Sequence, residues 1–157
     1  RLLRDSNALA ITTMYDLYKL PTDFPGYSTR PAGNCFTKAA YLEAEFQQDI
    51  NHPRFRPYLQ VHEFEALLFV NPEITARMFP ETNKLRELQQ IRNGFNSPEE
   101  INDGVTTAPS KRILRLFPNY DKPLYGSLVA IDVGLENIRA ECPHFNEWLT
   151  WLEGLRR

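Results

Sequence analysis

A β-favouring run from Phe55 to Val61 passes without an intervening turn into a helical pattern from Glu65 to Phe69, with His62, Glu63 and Glu65 at the junction. A strand that hands over directly to a helix leaves its C-terminal side chains at the rim of a sheet, where open α/β folds place their ligands. Glu63 and Glu65 are therefore candidate site residues. His62, whose type titrates near neutral pH, is a candidate proton carrier. A plainer reading stands beside this one, because acids in a first helical turn are favoured by the helix dipole in any protein, and a histidine at such a place is often a cap or a hydrogen-bonded core residue.

Upstream, Ala8 to Tyr15 is apolar or β-branched nearly throughout and ends on Asp16, the pattern of a strand buried on both faces of a sheet. From Asn34 to Ile50 the spacing of Phe36, Ala39, Ala40, Phe46 and Ile50 predicts an amphipathic helix that Asn51-His52-Pro53 ends. Strand, helix and strand make a βαβ unit. Its right-handed crossover predicts two parallel strands with Asp16 and Glu63 at one edge of the sheet. Between Asp16 and that helix, Leu17 to Tyr27 carries two prolines and a glycine among aromatics, which predicts a loop that either lines a site or is stapled to the core.

The remainder reads as short helices opened or broken by proline and glycine: Pro72 to Phe79, Thr82 to Arg92, Pro98 to Ile101, Pro109 to Phe117, Pro123 to Val133, and Leu135 to Leu155 broken at Pro143. The last carries Phe145, Trp148, Leu149, Trp151, Leu152 and Leu155, a core surface or a face for a partner. Between these helices, Asn102-Asp103-Gly104-Val105-Thr106-Thr107-Ala108-Pro109 runs into Ser110, Lys111 and Arg112. A Gly- and Thr-rich turn entering a helix can hold a phosphate on its N–H groups and cations, although Thr107 or Ser110 as an ordinary N-cap explains the same residues. Lys122 is a further candidate phosphate contact.

At 157 residues and 42% hydrophobic content the chain suits one domain with its own core. Its 18 basic and 20 acidic residues leave a net charge of −2, so any nucleic-acid site must be local. Cys35 and Cys142 lack metal-binding spacing and fit reduced thiols in a cytoplasmic protein. No apolar run reaches the length of a membrane span. The chain opens on Arg1-Leu2-Leu3-Arg4, with no methionine, and an upstream segment is expected.

Four segments in order, DLYKLPTDFPG, HEFEALLF, SPEEINDGVTTAPSKRI and CPHFNEWLTWLEGL, resemble an uncharacterised bacterial domain-of-unknown-function family. That family is grouped with the Toprim-like fold and is often encoded beside AAA-type ATPases, and the likeness runs from about Thr12 to the C-terminus. It implies an α/β fold, a Toprim-like parallel sheet with flanking helices and a helix-rich C-terminal half, with the N-terminal strand lying upstream. Toprim domains hold divalent metal through a glutamate after the first strand and an Asp-x-Asp after a later one. Asp16 stands where the first aspartate of that pair would be, but position 18 is Tyr18, and no Val-Glu-Gly-like turn precedes Arg1. Glu63 or Glu65 is the candidate replacement, since hard cations ask for clustered oxygens.

The resemblance thus implies a Mg²⁺- or Mn²⁺-dependent nuclease or phosphotransfer domain of a phage-defence or mobile-element system, with an ATPase partner. Asp16, Glu63 and Glu65 would hold metal, His62 carry a proton, and Ser110, Lys111, Arg112 and Lys122 meet phosphate. The alternative is a non-catalytic interaction module docking on that ATPase through its aromatic C-terminal helix. Carboxylates brought together at a sheet rim are expected to raise the pKa of at least one of them.

Overall fold

The computed structural model describes residues 7–102 and 104–155; the opening Arg1-Leu2-Leu3-Arg4 and Asp103 of the Gly- and Thr-rich turn lie outside them. The architecture is α/β, with small parallel strand pairs and a helix-rich C-terminal half. The chain forms two compact units, one of Arg1–Val61 with Glu147–Arg157, the other of His62–Asn146.

In the first unit β1 (Ile11–Thr12) pairs in parallel with β3 (Phe55–Arg56), and β2 (Tyr15–Asp16) with β4 (Leu59–Gln60). Ile11 faces Phe55 and Asp16 faces Gln60 in one unbroken register, so the two ladders are one strand pair with a gap. Pro57 lies in that gap and has no N–H to give a ladder. The Thr13 hydroxyl bridges it, donating to the Tyr58 carbonyl and accepting from the Tyr58 N–H, each at 3.1 Å. Helix α1 (Cys35–Ile50) makes the crossover, and its N-cap Asn34 accepts from the Thr37 N–H at 2.9 Å. The predicted parallel βαβ unit is present, with its strands as direct neighbours.

Burial on both faces of the first strand is not found. Leu9, Met14 and Tyr15 are 44%, 42% and 51% exposed, because among the described residues β1 and β2 have a neighbouring strand on one side only. The loop after Asp16 is stapled: Leu17, Phe24 and Tyr27 pack on a core of Leu20, Leu42 and Leu59. Gly26 makes this approach possible, since its φ is +74° and a Cβ there would lie 2.5 Å from Glu45 Cγ of α1. Trp148 of α7 (Pro143–Glu153) stacks on Tyr58 with ring centres 4.5 Å apart, and its indole N–H donates to Thr12 Oγ1 at 2.9 Å. Arg56 lies over Trp151 at 5.0 Å. Both indoles are half-buried and pack on residues of the first unit.

The second unit is organised on Phe64–Phe69, a 3₁₀ turn where the sequence predicts helix, which buries Ala66, Leu67, Leu68 and Phe69. It packs on α2 (Pro72–Arg77), α4 (Pro109–Leu116), α5 (Ser127–Val133) and the 3₁₀ turn Pro98–Glu100. Helix α3 (Leu85–Arg92) lies on α2, and α6 (Leu135–Glu141) follows α5 after Gly134. Proline opens α2, α4 and α7, as the sequence predicts. Cys35 and Cys142 are free thiols, and among the described residues no helix is long and apolar enough to cross a membrane.

Candidate functional site

Two residues beyond β4 the backbone of His62 takes φ +60°, a left-handed value that costs a non-glycine residue roughly 1 kcal/mol or more. The His62 side chain is buried. Glu63 then continues in extended conformation, and Glu65 falls in the first turn of Phe64–Phe69. Only 8% of Glu63 and 3% of Glu65 is exposed. Carboxylates this deep need partners, and each has one of a different kind.

Glu63 is held by Ser110, whose N–H donates to Oε2 at 2.8 Å and whose hydroxyl donates to Oε1 at 3.0 Å. Pro109 takes the first position of α4, which puts Ser110 at the second and leaves Ala108, with no side-chain acceptor, at the cap. Neither Thr107 nor Ser110 is therefore the N-cap that the sequence suggests. The orphan N–H at the start of α4 is satisfied from outside the helix by a carboxylate, which the dipole also favours. An acid thus occupies the place where the sequence predicts a phosphate.

Glu65 faces a cation instead. Its Oε2 lies 3.1 Å from Lys122 Nζ, and the lysine side chain is 45% exposed. Lys122 opens a π turn, Lys122–Gly126, whose cap Asp121 accepts from the Leu124 N–H at 3.0 Å. A Cβ on Gly126 would sit 3.0 Å from the Tyr120 hydroxyl and 3.1 Å from Phe64, so glycine lets this turn close on the cluster. Burial pushes the Glu65 carboxyl above its usual range; Lys122 opposes the shift, and the charge of Glu63 adds the smallest contribution. The Tyr120 hydroxyl is pushed up as well, by burial and then by the charge of Glu65.

The sign for stability follows. With its carboxyl raised above the unfolded value, Glu65 holds its proton more tightly in the folded chain. Stability is then lost as pH rises from about 4.3 through the higher folded value. Glu65→Gln is expected to flatten that slope and to melt at a higher temperature than the parent at pH 7, with the advantage vanishing near pH 4. Parallel melting curves against pH read this directly, and an unchanged slope would mean that Glu65 is not a strained carboxyl.

The cluster thus gathers His62, Glu63, Glu65, Ser110 and Lys122 in the second unit, while Asp16 ends β2 in the first. Lys111 is exposed on α4. Arg112 is engaged elsewhere, donating from Nε to the Thr107 carbonyl at 2.7 Å. Among the described residues no group of three or more His, Cys, Asp or Glu side chains is placed to hold a metal ion. Tyr120 and Glu99 are absent from the sequence prediction. Tyr120 lies two residues from Lys122, close enough in sequence to have been considered with it. Nothing local marks Glu99 as buried, although it is fully so and accepts from the His144 and Phe145 N–H groups at 2.9 and 3.1 Å.

Compared with known families, residues 1–153 match the one described as Domain of unknown function (DUF4276). No curated protein and no solved structure matches the chain.

Proposed function

The chain belongs to the DUF4276 family, and we propose that it is a Toprim-like, divalent-metal-dependent nuclease or phosphotransfer domain whose second unit carries the Glu63, Glu65 and Lys122 part of the site. The observation that supports this best is Glu65, a buried carboxylate with a raised pKa that looks onto a half-exposed ammonium. Its Oε2 is buried and faces that ammonium at 3.1 Å. That oxygen is already in a place that a positive charge occupies.

Mg²⁺ commonly binds through one or two carboxylates together with water and substrate phosphate. Glu65 is the residue that would hold it, with Glu63 beside it. When bound, such an ion neutralises phosphate charge and makes a water more acidic. Ser110 fixes the Glu63 carboxylate, and the strained His62 aims both glutamates by fixing the start of the turn. Lys122 reaches Glu65 on a flexible stem, and its ammonium would turn to a phosphate once another cation neutralises that carboxylate.

The test is cleavage of plasmid and single-stranded substrates with Mn²⁺, together with melts with and without Mn²⁺. Mn²⁺ is expected to raise the melting temperature of the parent. Glu65→Gln should lose most of that rise and roughly 10²-fold or more of the cleavage, the size expected when several kcal/mol of charge stabilisation is withdrawn. Equal metal responses in the two proteins would favour the second reading, a non-catalytic module that docks on a partner such as an AAA-type ATPase. One observation favours it: Leu124, Leu128, Ile131 and Leu135 are 53%, 41%, 72% and 49% exposed on and beside α5. Exposed apolar residues so closely spaced mark interaction sites, and Ile131→Asp would then abolish co-purification of the partner.

A further inference from the structure

A second basic feature of this unit lies away from the Glu63 and Glu65 cluster. Helices α3 and α4 flank an open groove of about 630 Å³, lined among others by Lys84, Glu87, Gln90, Phe95, Arg112 and Arg115. Lys84 and Glu87 neutralise each other at 2.8 Å, which leaves two guanidinium groups as the net charge of the groove. Among the described residues neither arginine has a carboxylate partner: Arg112 donates to the Thr107 carbonyl and, at 3.5 Å, to Asn102 Oδ1. The two are three residues apart on α4, so they share a face of the helix, where like charges repel. Burial and then the charge of Arg115 draw the Arg112 pKa down, which places the second charge close to the first.

Arg112 is also ordered for recognition. Its Nε is fixed by the Thr107 carbonyl at 2.7 Å, and its guanidinium lies 5.8 Å from the centre of the Phe95 ring. A planar cation held in this way has donors left for an anion, and arginine matches phosphate oxygens with a fork of N–H groups that lysine lacks. The groove is within the size range of small-molecule sites. Gln90, also in the lining, adds amide donors.

The geometry points to the α3–α4 groove as a binding site for a phosphate-bearing ligand of nucleotide size, with Arg112 and Arg115 meeting the phosphate. This goes beyond the cluster reading and does not need it, because no residue of the groove belongs to the cluster. It also keeps Arg112 of the anion site that the sequence places at the start of α4, where Glu63 already sits, and shifts that site about one turn along the same helix toward Arg115.

Calorimetry of the whole chain in EDTA tests it, with inorganic pyrophosphate, ATP and a short single-stranded DNA as probes. Pyrophosphate and ATP are expected to bind the parent, with Arg115→Ala weakening both at least tenfold and Arg77→Ala, an exposed cation outside the groove, leaving them within twofold. Arg115 is exposed, so its loss should leave the melting temperature unchanged, and that control separates lost binding from lost fold. Binding of DNA alone, weakened by Arg115→Ala and not by Arg77→Ala, would keep the site and identify its phosphates as those of a nucleic-acid strand. No binding of any probe, or equal losses in the two variants, would overturn the proposal. Because metal is withheld, the result stands apart from the fate of the Mn²⁺ experiment.

Discussion

Glu99→Ala is expected to destabilise the protein by about 3 kcal/mol and to lower its melting temperature by roughly 6 to 12 °C, for a chain of this length. Glu99 is completely buried, and its two oxygens accept the N–H groups of His144 and Phe145 at the start of α7. Pro143 opens that helix without an N–H of its own, so the next two donors are the orphans that most need an acceptor. Removing the carboxylate takes this acceptor from the buried Phe145 N–H and the part-buried His144 N–H, at about 1 to 3 kcal/mol each. The dipole interaction goes with them, a further 0.3 to 1 kcal/mol or so. Glu99→Gln separates these contributions, because it keeps one acceptor and loses the charge. Denaturant melts of the three proteins measure the order, and an alanine variant as stable as the parent would mean that water replaces the carboxylate at no cost.

Trp148→Ala is the other large effect, at about 3 kcal/mol, the lower end for loss of a core tryptophan because the indole is only half-buried. The substitution uncovers Tyr58, which is 1% exposed and donates its hydroxyl to Gln60 Oε1 at 2.9 Å. It also frees the Thr12 hydroxyl at the strand pair. Trp148→Phe should recover most of the loss, since the stack on Tyr58 remains and one hydrogen bond worth about 1 kcal/mol goes. Urea titration of the three proteins checks this. Equal stability of the alanine variant would show that the stack contributes nothing to the first unit.

Much of this was legible in the chain, and what was not has physical causes. The βαβ unit could be read because α1 has its Asn34 cap and apolar spacing, and because a long crossover forces parallel pairing. The single-sided exposure of Leu9, Met14 and Tyr15 was hidden, since an apolar run looks the same whether one or two neighbours cover it. At the site, Glu63, Glu65, Ser110 and Lys122 were all found as individual residues, but not the way they pair with one another. Acids were assigned to metal and donors to phosphate, whereas Ser110 donates to Glu63 and Lys122 faces Glu65. Which partner satisfies a buried charge is decided by tertiary distance, and no local pattern carries that. Tyr120 and Glu99 were missed for the same reason, as was Arg115 beside Arg112.

The first unit is assembled from two stretches that the chain visits far apart in time. A ribosome that has reached Asn146 has already emitted Thr12 and Tyr58, yet neither has met the indole that stacks on one and hydrogen-bonds the other. The residues of the second unit, by contrast, are contiguous and complete at that moment. Translation therefore delivers the glutamate cluster and the arginine groove before it delivers the last piece of the strand pair. The order in which the parts mature is the reverse of the order in which they begin.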